Sequence, residues 1–254
     1  MALLMPALAA VRESSRRTQC ANNLHSYGIA LRTYHATNKS FPIGNVANKW
    51  WTFQARLLPY LDGNDIYVLC NFKYTGDCFQ MANGVAEDRD PGNRVLSYDV
   101  CPDDPNSGKI WFDFPGYGRH GCTNYLGMMG TTSYARDGIL FYGANVSEEK
   151  IYDGISKTII MGERGTPDDL YWGWTYCGYG NGTGDGDNLC SAQTGLAAGE
   201  PNDNHIHHFW SYHLGMANFC FADAAVRPLY YDIDFKVFQA LSTRAGDEIF
   251  DSPW

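Results

Sequence analysis

The chain has 254 residues, 44% of them hydrophobic, with 27 Gly and 11 Pro, which is apolar material for one substantial core carrying a large share of loop. Its formal net charge of -9 excludes general nucleic-acid binding, because neutralising phosphates takes clustered Lys and Arg. The one basic cluster, Arg12, Arg16 and Arg17, lies beside an apolar front end, where it can face lipid headgroups, an acidic neighbour or solvent.

The first element is the long segment Ala7 to Asn38. Cys20, Leu24, Tyr27, Gly28, Leu31 and His35 recur at three- and four-residue spacing, while Arg12, Arg16, Arg17 and Asn23 fall largely off that stripe. A helix of this extent is roughly 45 to 50 Å long, more than a compact domain of this size needs, so part of it should project. The projecting part is Met1 to Val11, almost wholly apolar and followed directly by the arginines. It is too short to span a bilayer, which takes about 20 apolar residues. Its charges follow the apolar run, the reverse of a signal peptide, so the expectation is the tail of a membrane helix. The division expected is a spine helix over 1–42 and a head over 43–254, together one structural domain.

Past Pro42 the spacing of Phe53, Leu57, Leu58 and Leu61 predicts a short helix over 51–61, stopped by Pro59 and Asp62-Gly63. Residues 95–100 lead into Cys101-Pro102-Asp103-Asp104-Pro105, where two prolines favour a strand running into a turn. From Trp111 the texture changes to short apolar runs punctuated by Gly and Asp, and strands are predicted over 123–129, 138–142, 158–163 and 171–176. Residues 147–151 read as a short turn or helix, Asp153-Gly154 as a tight turn, and 179–204 as one long loop. A hairpin follows, 218–222 and 225–229 about a turn at Asp223-Ala224, and then a short helix within 232–242.

The 8 cysteines contain no CxxC pair, which removes the usual zinc-ribbon and thioredoxin readings. With an exported front end, disulfides account for them better, although buried thiols stay open as the other reading. The local pairings are Cys70 with Cys78 and Cys177 with Cys190; the long-range ones are Cys20 with Cys101 and Cys122 with Cys220. Nucleophile elbow, P-loop, dinucleotide fingerprint, HExxH and EF-hand patterns are all missing from the sequence. His205, His207 and His208 make a His-rich tract without a third ligand at a set spacing, which reads as surface histidines. Glu163, at the end of an apolar strand, needs a buried partner, and Arg164, Arg227 and Arg244 are the candidates.

Residues 3–42, together with blocks at 51–67, 101–105, 124–130, 151–163 and 240–249, resemble a large bacterial family of pilin-like proteins of unassigned function, often described as type II secretion pseudopilins of the G type. That family carries a signature of His, nine residues and Asp-Gly; His213 and Asp223 match it, with Ala224 in place of the Gly. The resemblance implies an α+β, pilin-like fold in which the long N-terminal helix packs on an antiparallel β-sheet with large loop insertions. It also implies a non-catalytic structural subunit outside the cytoplasm, assembled with other pilin-like subunits through the helix and anchored in the membrane by an apolar segment mostly absent from this sequence. Asp153, Glu163, His213 and Asp223 are its structural signature residues. His213 is expected to donate to Asp223 or to a backbone carbonyl, and Asp223 to accept the turn amides.

G-type pseudopilins hold calcium in a late loop, and residues 181–188 are similar in character. They offer oxygen donors on a Gly-flexed backbone, with Asp185, Asp187 and Asn188 as candidate Ca²⁺ ligands. The reading from a different class is an exported carbohydrate- or peptide-binding module in which Trp50, Trp51, Trp172, Trp174 and Trp210 form a platform.

Overall fold

A computed structural model describes residues 4–46, 50–73, 78, 89–111, 119–143, 145–170, 172–178, 187–199 and 207–249. The spine is one unbroken helix, α1 (Leu4–Asn38), 35 residues and so about 52 Å long. It stops where Lys39 turns left-handed at φ 61° and its N–H returns to the His35 carbonyl at 2.7 Å, closing the last turn. The short helices α2 (Phe53–Leu57) and α3 (Asn64–Tyr67) follow, α2 started by the Thr52 side chain accepting from Ala55 N–H. Next come a two-stranded ribbon, β1 (Ile110–Trp111) with β2 (His120–Gly121), and then β3 (Tyr125–Met128), β4 (Ile159–Glu163), β5 (Leu189–Cys190), β6 (Met216–Phe221) and β7 (Val226–Tyr230). The closing helix is α4 (Phe235–Ser242).

The sheet runs β5-β3-β4-β6-β7; every pair is antiparallel except β3 with β5. All six residues of β6 are buried, because both faces of the sheet are covered. Cys220 joins Leu24, Tyr27 and Leu31 of α1 in one core cluster, while Ala217, Phe219 and Phe221 join Phe238 and Leu241 of α4 in another. Successive residues of a strand point to opposite faces, so α1 and α4 are held on opposite sides of β6. Gly28 makes the α1 packing possible: a Cβ there would stand 2.7 Å from Cys220 Sγ and 2.9 Å from Ala224 Cα. The helix therefore rides directly on the β6–β7 turn.

Two strand predictions fail. Residues 138–142 and 172–176 form no ladder and contribute only the isolated bridges Asn45–Tyr142 and Cys122–Trp174; Tyr171 lies outside the described residues. Both sides of β3 are taken by β4 and β5, so 138–140 reaches only its end, through Gly138 N to Met129 O and Leu140 N to Met128 O. Conversely, β5 lies inside the stretch read as loop, a strand too short to show alternation. The Cys101-to-Pro105 segment is a series of turns rather than a strand end. Ala224 takes up the left-handed conformation, φ 72°, at a cost on the order of 1 kcal/mol.

Candidate functional site

The polar centre of the molecule lies where α1 passes the edge of the head. On α1 the spacing Glu13, Arg16, Cys20, Leu24, Tyr27, Leu31 continues the buried stripe outward, and it turns from apolar to charged as the helix leaves the sheet. Opposite it stand Cys101 and Asp103, Glu163 at the end of β4, and His213 in the turn before β6. Asp104 anchors the 101–106 turns by accepting from Asn106 N and Thr166 N, both at 2.7 Å, and from Asn124 Nδ2 at 2.5 Å. Asn124 in turn accepts from Cys101 N at 2.7 Å.

The His213 side chain is fully buried. Its Nδ1 lies 2.9 Å from Asp103 Oδ2 and 3.2 Å from Glu13 Oε1, and its Nε2 lies 3.6 Å from Cys101 Sγ and 3.8 Å from Glu163 Oε1. Arg16 pairs with both Asp103 and Glu13. The Glu163 carboxylate accepts from Asn218 N at 2.7 Å and Asn218 Nδ2 at 3.0 Å. Burial pushes Glu163 above the ordinary carboxylate range against the pull of His213 and Asn218. Asp103 is likewise raised, by desolvation and then by the neighbouring Glu13. For Glu13, desolvation is outweighed by hydrogen bonds to Asp103, His213 and Arg16, and its pKa falls.

A second buried carboxylate ties α1 to the head deeper in the core. Asp99 is wholly enclosed and accepts from the Tyr27 hydroxyl, from Tyr176 Oη at 2.7 Å and from Leu96 N at 2.8 Å. Desolvation outweighs these three donors and lifts its pKa to about 6.

Several sequence expectations are redrawn here. His213 does not meet Asp223: the two flank opposite ends of β6, since a strand rather than a turn separates them. Asp223 caps the β6–β7 turn by accepting from Ala225 N at 2.9 Å. Glu163 is held by Asn218 and His213, with the more distant charge of Arg17 also favouring its ionised form. Arg227 bonds to Ser156 O and Arg244 to the carbonyls of Arg136 and Gly138. Asp153 does hold a turn, accepting from Gly246 N at 2.8 Å and Asp247 N at 2.9 Å, and so pins the chain after α4.

The disulfides are Cys20–Cys101 and Cys78–Cys177, spanning 81 and 99 positions. The Cys70–Cys78, Cys177–Cys190 and Cys122–Cys220 pairings are thereby corrected. Cys177 bridges from the loop after Trp174 to Cys78, while Cys190 is held in β5 and Cys220 in β6, the latter under Gly28. Cys70, Cys122, Cys190 and Cys220 are buried thiols, and desolvation raises Cys70 to about 12.

Asp187 accepts from Gly173 N at 3.2 Å. Asn188 binds Asn45 and Gly44 O, at 3.1 and 3.0 Å, so both cross-link loops. Asp185, the remaining calcium candidate, lies outside the described residues, as does His205. The tryptophan platform is not formed: Trp50, Trp51, Trp174 and Trp210 are buried, and Trp172 is half-buried.

The cluster of Glu13, Asp103, His213 and Glu163 was not assembled from sequence. The nearest sequence signal was the expected Cys20–Cys101 pairing; Arg16, expected off the helix stripe, instead continues it toward Asp103, because a long side chain one turn from Cys20 reaches the head's edge. The model of a family described as protein of unknown function (DUF1559) matches residues 9–236. No curated protein and no solved structure matches the chain.

Proposed function

This chain belongs to the DUF1559 family of unknown function, and on that premise we propose that it is a pilin-like, non-catalytic structural subunit of the bacterial envelope or of a secretion-related filament. The observation that carries the reading is the two-part character of α1. From Cys20 onward its stripe is buried against the sheet. Residues 8–12 are exposed on every side, with Leu8 at 52% and Val11 at 66% of full exposure. A helix whose first turns, about 13 Å up to Arg12, stand clear of the head is suited to packing beside others of its kind. The head supports this by clamping the helix three times, through Cys20–Cys101, through Arg16 with Asp103 and Glu13 with His213, and through Tyr27 with Asp99.

Two disulfides fit an oxidising, extracytoplasmic setting. Among the described residues no helix is long and apolar enough to cross a membrane. Burial of the tryptophans favours the structural reading over a carbohydrate- or peptide-binding platform.

Sedimentation of the chain in detergent micelles, with and without the double substitution Leu8→Asp and Val11→Asp, tests the proposal. The parent chain is expected to associate with rising concentration and the variant to stay monomeric. A parent chain that remains monomeric throughout refutes it.

A further inference from the structure

Four side chains from separate parts of the chain converge on one buried point beside α1: Cys20, Cys101, Glu163 and His213. One donor atom from each, two sulfurs, a carboxylate oxygen and an imidazole nitrogen, lie within 4.8 Å of one another, and all four residues are buried. We propose that when the Cys20–Cys101 bond is reduced these four side chains form a tetrahedral site for Zn²⁺ or a similar divalent transition metal. The junction between helix and head is then closed covalently in one redox state and by a metal in the other.

The geometry supports this in detail. With Zn–S near 2.3 Å and Zn–N near 2.05 Å, a tetrahedral site has an S···N edge of about 3.6 Å and an N···O edge of about 3.4 Å. Cys101 Sγ stands 3.6 Å from His213 Nε2, and Glu163 Oε1 stands 3.8 Å from it. The two sulfurs need to part, to about 3.8 Å, and the Cα atoms 5.3 Å apart leave room for side-chain rotation to do it; the remaining donor pairs lie within 4.8 Å.

The surroundings are those of a supported metal ligand set. His213 Nδ1 faces Asp103 at 2.9 Å and Glu13 at 3.2 Å. That places the ring proton on Nδ1 and presents the Nε2 lone pair to the cysteines, the carboxylate–histidine arrangement that orients metal-binding imidazoles. Asn218 fixes Glu163 with its backbone and side-chain amides. The other grouping within reach, Glu13 and Asp103 with the same histidine, already has Arg16 as its cation.

The step balances with an external dithiol as reductant. The dithiol supplies two electrons and two protons, the S–S bond breaks to give two thiols, and the dithiol closes to its own disulfide. Entry of the metal then releases the two thiol protons to solvent.

The test uses the full chain, reduced under nitrogen and titrated with Co²⁺. One Co²⁺ per chain is expected, with sulfur-to-cobalt charge-transfer absorption and the intense visible bands of a tetrahedral site. The oxidised chain and Cys101→Ser should lack these bands, His213→Gln should weaken binding at least tenfold, and the Cys78→Ser, Cys177→Ser double variant should retain it. In the unsubstituted reduced chain, Zn²⁺ should slow alkylation of Cys20 and Cys101 at least tenfold by peptide mapping, a readout that needs no variant to fold. Thiolate–cobalt absorption that survives Cys101→Ser overturns the proposal. So does the absence of such absorption from the reduced chain, or alkylation of both cysteines at a rate indifferent to Zn²⁺.

Discussion

Replacing Asp99 by Asn should change how stability depends on pH. Asp99 is enclosed between α1 and the head, and burial raises its pKa from 3.8 to about 6. A carboxyl group whose folded pKa lies above its unfolded one gives stability that is fully present below the unfolded value and is lost as pH rises through the folded value. The window is therefore pH 4 to 6. A shift of roughly two units at 1.36 kcal/mol each makes the loss about 3 kcal/mol once the group is ionised. Asn reproduces the protonated form: its oxygen can accept from Tyr176 and Leu96 N while its amide meets the Tyr27 hydroxyl, and it never ionises.

Urea unfolding at half-unit steps from pH 4 to 8, for parent and variant, isolates the effect. Glu163, Asp103, Asp104 and Asp90 are also raised by burial, but they cancel in the difference. The parent should lose about 3 kcal/mol relative to Asp99→Asn between pH 4 and 7. Parallel stability curves would refute the claim that desolvation of Asp99 outweighs its three hydrogen bonds.

Other substitutions probe the same clamp and its supports. Gly28→Ala gains about 1 kcal/mol of helix propensity but drives a methyl group into Cys220 and the Ala224 backbone. Overpacking of that kind costs about 1–3 kcal/mol, so a net fall in the urea midpoint is expected. Cys20→Ser opens a loop closed across 81 positions; chain entropy sets the loss at no more than about 4.5 kcal/mol, read by denaturation under non-reducing conditions. Asp234 caps α4 by accepting from Lys236 N at 2.8 Å and Val237 N at 3.2 Å. Asp234→Ala should cost about 1 kcal/mol, checked by thermal melting.

The features legible in sequence are those carried by local periodicity or by a turn residue at a fixed offset. The stripe from Cys20 to Leu31 predicts α1, the alternation around Asn218 to Leu229 predicts the β6–β7 hairpin, and the apolar spacing from Phe235 to Leu241 predicts α4. Residues 138–142 and 172–176 misled because aromatic and aliphatic residues that look like strand are buried there by packing of loops. Cys190 sat in a run of Gly, Asp and Asn that hid a short edge strand. The Cys20–Cys101 bond was among the sequence pairings, but the local pairings of Cys70 and Cys190 assumed that short loops close first. The native pairs instead join segments brought together by the sheet.

The sequence by itself determined the long N-terminal helix, the α+β make-up and the capped turns, because each depends on residues a few positions apart. Which carboxylate meets His213 was decided only by the tertiary structure. Glu13, Asp103, Glu163 and His213 are separated by up to 200 positions and share a site only because α1 lies across β6 and points its charged stripe at the head's edge. Burial then fixes their chemistry, since a charge removed from water must find its partner among whichever groups the fold has brought near.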